Sequence, residues 1–342
     1  MTASPDAAGS RADTDQLPAV TAPTEQRNPS TTDIDLLPTV AVLELLHAED
    51  ERVPAAVRPA LGPLAVVVDE AAERIRRGGR VHYFGAGSSG RIAVLDAAEL
   101  MPTFGLAPGV VIAHLAGGEQ AIQRAVEDAE DDEARGAQEA AASVTGADLV
   151  LGLSASGSTP YVAGALATAS GLGAFTAVAT CNPDSRLLAL AQVPIVADTG
   201  PEAIAGSTRL KATSAFKLIL NGFSTALMIR LGKTYSNLMV EVAATNSKLR
   251  TRKVRILVDA TGADEATCGA ALARADGELR PALVALLGGV DVPTARRAIE
   301  ESGGVVRDAL TRLNALLRLR KEMPRSDGLS VRSLHGQGAA GK

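Results

Sequence analysis

Apolar residues along this chain recur in two alternating periods. Between Asp33 and Arg80 the spacing is helical: Ile34, Leu37 and Val40 form one stripe, with Leu45 and Leu46 further on. Leu64, Val67, Val68, Ala71 and Ile75 form a second helix, ended by Gly78 and Gly79. Val81, Tyr83 and Phe84 then make a short β-branched and aromatic run. It opens into Gly85, Gly87 and Gly90, with Ser88 and Ser89 between them, before a helical pattern starts at Arg91 and is stopped by Pro102. Residues 110–116 predict a second strand, followed by a helix from Glu119 to about Asp128 and an alanine-rich helix after Asp131, Asp132 and Glu133. Residues 148–153, 174–180 and 193–197 predict three more strands, and a long helix from about Thr208 to Leu231 closes the domain. Strands and helices alternating at this spacing predict an α/β fold: a doubly wound parallel sheet flanked by helices.

From about Asn246 the pattern becomes charged, helical and strand-free. Helix starts at Thr261-Gly262-Ala263-Asp264 and Val292-Pro293 predict a small domain of two or three short helices. The expected organisation is a disordered tail over 1–30, a main domain with N-terminal helices over 31–245, a small helical C-terminal domain over 246–325 and a loose tail over 326–342.

Composition narrows the ligand classes. The 342 residues suffice for a sizeable core, and the scarcity of aromatics (2%) suits helices packed on a parallel sheet better than a β-sandwich. A net charge of −5 with so few stacking residues gives no footprint for nucleic acid. Cys181 and Cys268 are too few for a disulfide framework or a metal cage. The N-terminus carries neither a signal-peptide pattern nor an apolar run near 20 residues, so the expectation is a cytoplasmic protein with no membrane partner.

The glycine turn at residues 85–90 is a site for an anion. Backbone N–H groups approach closely there, the positive end of the helix dipole favours negative charge, and the hydroxyls of Ser88 and Ser89 add donors, so phosphate is the expected ligand. The same residues match the dinucleotide pattern G-x-G-x-x-G, but that reading needs a carboxylate at the end of the second strand, which here ends His114-Leu115-Ala116. A second strand-to-helix turn repeats the hydroxyl chemistry with Ser154, Ser156, Ser158 and Thr159, and Pro160 stands where a first helical turn tolerates it. Either turn alone reads equally as an ordinary N-cap; two at the carboxyl edge of one sheet favour a pocket for a phosphoester. On the first sheet helix, Ile92, Asp96 and Glu99 are spaced to share one stripe. The run Glu130-Asp131-Asp132 reads by itself as a helix cap and a solvated helix start. Arg209 and Lys211, beside Glu202, Ser207 and Thr208, supply cations and hydroxyls at the start of the long helix. His82 and His114, both inside predicted strands, read as packed histidines.

Several long motifs resemble the N-acetylmuramic acid 6-phosphate etherases, which have the sugar-isomerase (SIS), flavodoxin-like fold. They are TEQRNPSTTDIDLLPT, GAGSSGRIAVLDAAELMPTFG, LAGGEQAI, AVEDAEDD, SASGSTPYV, CNPDS, GPEAIAGSTRLKATSAFKLILN and RLGKTYSNLMVEVAATNSKL, and the resemblance covers roughly Thr24 to Leu310. The resemblance implies cleavage of the lactyl ether of N-acetylmuramic acid 6-phosphate to N-acetylglucosamine 6-phosphate and D-lactate. It also implies a homodimer with no metal and no other cofactor. It assigns the catalytic roles to Glu99, which protonates the departing lactate, and Glu130, as base. For such a substrate the two turns and the start of the long helix offer Gly87, Ser88, Ser89, Ser154, Ser156, Ser158, Thr159, Glu202, Ser207, Thr208, Arg209 and Lys211 as binding residues, with Arg209 and Lys211 able to reach the phosphate or the lactyl carboxylate or else serving as plain capping and solvent contacts. The chain departs from the family at Ser88 (usually Thr), Asp128 (usually Gly) and Ser158 (usually Arg). Two other functions fit the same fold: a non-catalytic sugar-phosphate sensor of the glucokinase-regulatory-protein type, and a sugar-phosphate isomerase. Finally, Ser88 and Glu99 lie eleven residues apart, roughly 16 Å along a straight helix, so either that helix breaks near residues 96–98 or Glu99 serves another subunit.

Overall fold

The computed structural model describes residues 22–241 and 247–322. The expected tails before residue 22 and after residue 322 lie outside the described residues. The chain divides into two compact units: one holds the described residues up to Met101 together with Leu106–Arg230, the other Pro102–Gly105 and the described residues from Leu231.

In the first unit, α1 (Thr39–Asp50), α2 (Val53–Val57) and α3 (Leu61–Arg76) lead into β1 (Val81–Gly85) and α4, which begins at Gly87. There follow β2 (Val111–Leu115), α5 (Gln120–Gln123), α6 (Glu133–Ser143), β3 (Leu149–Ser154), α7 (Pro160–Gly171), β4 (Phe175–Thr180), β5 (Val193–Val196) and α8 (Lys211–Arg230). The sheet is parallel throughout, in the order β2-β1-β3-β4-β5, with Gly85 opposite Leu153 in the β1/β3 register. Every residue of β1 and β3 is buried, which explains why their sequences run continuously apolar rather than alternating. Phe84, Val150 and Val178 face Tyr161, Val162 and Leu166 of α7 on one side. On the other, Tyr83 meets Phe223 of α8 edge to face at 6.0 Å. The apolar side of α8 is thus core, with Phe216, Ile219, Leu220 and Leu227 all buried.

Several local expectations are corrected. The glycine turn is shorter than its spacing suggests: α4 starts at Gly87, not Arg91, so Ser88 and Ser89 are its first-turn residues. Pro102 does not stop α4, which runs to Phe104 and ends where Gly105 takes a positive φ of 61°. The helix expected over 119–128 shrinks to the one turn of α5, because Arg124 turns extended (φ −142°, ψ 158°) directly after Gln123; Asp128, further on, is left-handed (φ 58°). The Ile34, Leu37 and Val40 stripe does not enter the core; Val40 is 64% exposed. Residues 22–30, expected as tail, form two short helical turns laid on the segment after β5: the Gly206 N–H donates to the Thr24 carbonyl (3.0 Å) and the Thr31 hydroxyl to the Ala203 carbonyl (2.8 Å).

In the second unit a two-residue hairpin, β6 (Thr234–Tyr235) and β7 (Leu238–Met239), precedes α9 (Ser247–Thr261), α10 (Glu265–Arg274), α11 (Leu279–Gly288), α12 (Val292–Glu300) and α13 (Val306–Glu322). These are five helices where the sequence predicted two or three, because the breaks at Asp276-Gly277 and Gly303-Gly304 are each a tight left-handed turn inside what reads as one periodic run. Their core is aliphatic, centred on Leu257, Leu272, Leu283 and Val306.

Candidate functional site

Neighbouring strands β1 and β3 send their following helices to opposite faces of the sheet, so the two serine-bearing turns diverge at the switch point of the topology, at its carboxyl edge. At the first turn, Gly87 needs its positive φ of 51°, and a Cβ there would meet nothing within 4 Å: the backbone faces open space. Gly90 is required for packing instead, since a Cβ there would lie 2.6 Å from the Gly85 carbonyl and 2.4 Å from Leu115. Its N–H closes the first helical bond, to Ala86 (3.1 Å). The N–H groups of Gly87, Ser88 and Ser89 precede that bond, with no intrahelical acceptor, the arrangement that suits an anion at a helix N-terminus.

At the second turn the Ser154 hydroxyl, 1% exposed, is the organising group. It accepts the Gly157 N–H at 3.1 Å and bonds the Thr159 hydroxyl at 2.7 Å. The Ser156 and Ser158 hydroxyls bond each other at 2.9 Å nearer solvent. The turn is held from behind by Asn182, which donates to the Ser156 carbonyl (2.8 Å), and Ser185, which donates to the Gly157 carbonyl (2.7 Å). Arg186 donates to the Ser158 carbonyl at 2.7 Å, placing a guanidinium beside Ser158.

A cavity of about 370 Å³ opens between the first turn and the irregular segment before α6, lined by Gly87, Arg91, Ala116, Asp128, Glu130 and Asp131. The Glu130 carbonyl accepts the Tyr161 N–H at 3.0 Å, tying this carboxylate-bearing residue to the start of α7 as well. Glu130 therefore stands between the two turns. Its neighbour Asp132 does what an acidic run at a helix start ordinarily does, capping α6 through the Arg135 N–H at 2.8 Å.

The other proposed site residues lie elsewhere. Asp96 and Glu99 do not share an environment. Asp96 is buried, accepting from Tyr83 (3.0 Å) and Ser224 (2.8 Å), and burial raises its carboxyl pKa against those bonds. Glu99 is 60% exposed and lies 3.7 Å from Lys217 of α8. Since α4 is one unbroken helix from Gly87 to Phe104, the break that would have returned Glu99 to the first turn is absent. Glu202 is fully buried and caps α8, accepting the N–H groups of Lys211 (3.0 Å) and Ala212 (2.9 Å); burial raises its pKa more than those bonds lower it. The Lys211 ammonium points inward to a buried ion pair with Glu49, whose carboxylate also receives Asn28 (2.8 Å) and Arg52 (3.1 Å). Burial pushes Glu49 up, but the Lys211 and Asn28 hydrogen bonds outweigh it and hold the carboxyl below its ordinary range. Ser207 and Thr208 are half-buried in the turn before α8, and Arg209 is exposed there. Sequence reasoning missed Glu49, Asn28 and Lys217; of these only Asn28 carried a signal, as a turn-forming residue before Pro29 in an otherwise unexplained motif.

Buried His82 and half-buried His114 are paired (3.0 Å between ring nitrogens), with Phe84 stacked on His114 at 4.2 Å. Burial, aided by the neighbouring His82, pushes His114 down to about 4.

A parallel sheet of this strand order, with two hydroxyl-lined turns at its switch point, defines a SIS-type domain, and residues 63–170 match the family model described as the glucokinase regulatory protein N-terminal SIS domain. A protein of Thermobifida fusca (strain YX) named N-acetylmuramic acid 6-phosphate etherase is 59% identical over 268 residues, covering 78% of this chain and 88% of its own. One of the same name from Yersinia pestis (strain Pestoides F) is 49% identical over 287 residues, covering 84% and 97%. This chain belongs to the N-acetylmuramic acid 6-phosphate etherase family. Among solved structures, a phosphoheptose isomerase from Francisella tularensis aligns over 56% of this chain and 96% of its own with 20% identity and a TM-score of 0.43.

Proposed function

We propose that the cavity beside the first turn is where this protein, an N-acetylmuramic acid 6-phosphate etherase, carries out its reaction. The enzyme cleaves the D-lactyl ether by elimination and hydration, giving N-acetylglucosamine 6-phosphate and D-lactate, and the observation that carries this activity is the 59% identity to a named etherase over most of both chains. The substrate's phosphate is a dianion suited to the free N–H groups of Gly87, Ser88 and Ser89 and the hydroxyls of the Ser154–Thr159 turn.

The chemistry follows from the substrate. Opening the sugar ring exposes an aldehyde at C1 that acidifies the proton on C2. A carboxylate removes that proton, the C2–C3 double bond forms as the C3–O bond breaks, and an acid protonates the departing lactate oxygen. Water then adds at C3. Two positioned acid–base groups contribute about 10²- to 10⁴-fold each. Glu130 is the base, supported by its place in the cavity opposite Gly87.

Glu99 is the acid, and it acts on the cavity of a second copy of the chain. Support comes from the continuous α4, which puts Glu99 roughly 16 Å from Ser88, and from the exposure of its carboxylate. The working protein is accordingly a homodimer, and the site is incomplete in one subunit.

Incubation of the purified protein with N-acetylmuramic acid 6-phosphate, assayed for D-lactate, tests the activity. No lactate with tight sugar-phosphate binding would make the protein a sensor, and a ketose product an isomerase. Mixed dimers of Glu99→Ala and Glu130→Ala subunits test the sharing: regained activity, up to a quarter to a half of wild type, is expected. None would place both carboxylates in one subunit's site.

A further inference from the structure

The reaction needs a receptor for a second anion, the carboxylate of the lactyl arm, and several cations near the carboxyl edge of the sheet are already engaged. Lys211 is buried against Glu49, Arg91 donates to the carbonyls of Ala121 (2.8 Å) and Arg124 (3.2 Å), and Arg186 is taken by the Ser158 carbonyl. Lys217 differs. Its side chain is 33% exposed on α8, and its ammonium stands 3.7 Å from the Glu99 carboxylate, an ion-pair distance longer than a hydrogen bond. So exposed and so long a pair does little to hold the fold.

We infer that Lys217 binds the lactyl carboxylate and makes the enzyme specific for an acidic ether. The inference rests on the reading of Glu99 as the acid that protonates the leaving oxygen. In the lactyl group a carboxylate oxygen lies three bonds from that ether oxygen, about 3 Å away by ordinary bond lengths. An ammonium within ion-pair range of the proton donor is therefore placed to hold the carboxylate while the donor reaches the ether oxygen. The charges also require it. Once Glu99 gives up its proton, two anions, its own carboxylate and that of the lactate, face each other, and one ammonium between them offsets the repulsion. Because Lys217 and Glu99 are carried by the same unit of one chain, they arrive together at whichever subunit's cavity they serve.

The test uses two substrates, N-acetylmuramic acid 6-phosphate and its lactyl amide, which keeps the ether and the phosphate but lacks the negative charge. Wild type is expected to favour the acid by about 10- to 100-fold in kcat/KM, the range of a charge-assisted hydrogen bond, mostly through KM. Lys217→Met should bring kcat/KM on the acid down to near its own value on the amide, and an unchanged urea midpoint shows that the variant is folded. Lys217→Arg should restore most of the preference. A preference in Lys217→Met equal to that of wild type, whether both rates fall together or neither falls, overturns the inference. Glu99→Gln isolates the underlying reading: if it keeps wild-type turnover, the acid assignment fails independently of the substrate ratio.

Discussion

Lys211 is the residue whose expected and observed roles diverge most, and replacing it separates them. In Lys211→Met the Glu49 carboxylate, 3% exposed, loses its ammonium and keeps the Asn28 amide at 2.8 Å and the largely exposed Arg52 at 3.1 Å. Removing one member of a buried ion pair costs about 3–5 kcal/mol. The two remaining partners place this case near the lower end, about 3 kcal/mol. With a urea slope of about 2–3 kcal/mol per molar, the midpoint of the transition reporting the first unit should fall by roughly 1–1.5 M. The pair also has a pH signature. Glu49 has a folded-state pKa below its ordinary 4.5, so its contribution is present above that value and is lost as pH falls through the lowered one. The double variant Lys211→Met with Glu49→Leu strands no charge and should recover most of the midpoint. Urea titration followed by far-UV circular dichroism, run beside steady-state kinetics, decides. An unchanged midpoint with a raised KM would refute the structural assignment and put the Lys211 ammonium on the substrate.

Three further outcomes follow from the geometry. His114 has a folded pKa of about 4 against an ordinary 6.5, so the unfolded chain binds the extra proton and stability should fall by about 3 kcal/mol as pH drops from 6.5 to 4; His114→Asn, measured by urea midpoints at pH 7 and 4.5, should lose less than wild type, and an equal loss would refute this. Gly90→Ala puts a Cβ 2.6 Å from the Gly85 carbonyl, so a loss of about 1–3 kcal/mol with a higher KM is expected, whereas a wild-type melting curve would mean the turn can give way. Asp128→Gly, at a position with φ 58°, should gain about 0.5–1 kcal/mol with activity retained, and a loss of stability would show that the Asp128 side chain compensates for its backbone.

The strand order, the two turns and the closing helix were legible because each is written locally. A buried parallel strand is a short apolar run, and an anion-binding turn is glycine and serine within six positions. What escaped the sequence depends on side chains far apart in the chain. Nothing around Glu49 in α1 announces that it will be buried, since Lys211, its partner, lies 162 positions away. That long-range pairing holds Lys211 in a fold contact, while Glu202 caps α8 through a local contact with backbone N–H groups nine and ten positions on. The early end of α5 escaped for the opposite reason: it is made locally by Arg124, which turns extended inside a segment that reads as helix.

The division of the candidate machinery follows from the same physics. A helix that starts at the glycine turn moves each later residue about 1.5 Å away from it, so a group eleven positions on cannot act where the helix begins. The chain keeps α4 straight through Glu99 and packs Asp96 inward against Tyr83 and Ser224, and that buried contact fixes the rotation of the helix. Rotation so fixed turns Glu99 outward beside Lys217, an exposed carboxylate and ammonium held at a set spacing on adjacent helices. The proposed proton donor, displayed outward on α4, is of use only to a site presented to that face, whereas Glu130, on the irregular segment after α5, lines a cavity with Gly87 of its own chain. Asp96→Asn should therefore preserve the Tyr83 and Ser224 contacts and most of the activity, while Asp96→Ala, which frees α4 to rotate, should lower kcat at least tenfold with little change in KM. Equal kcat values for these two variants would sever the buried contact from the display of Glu99.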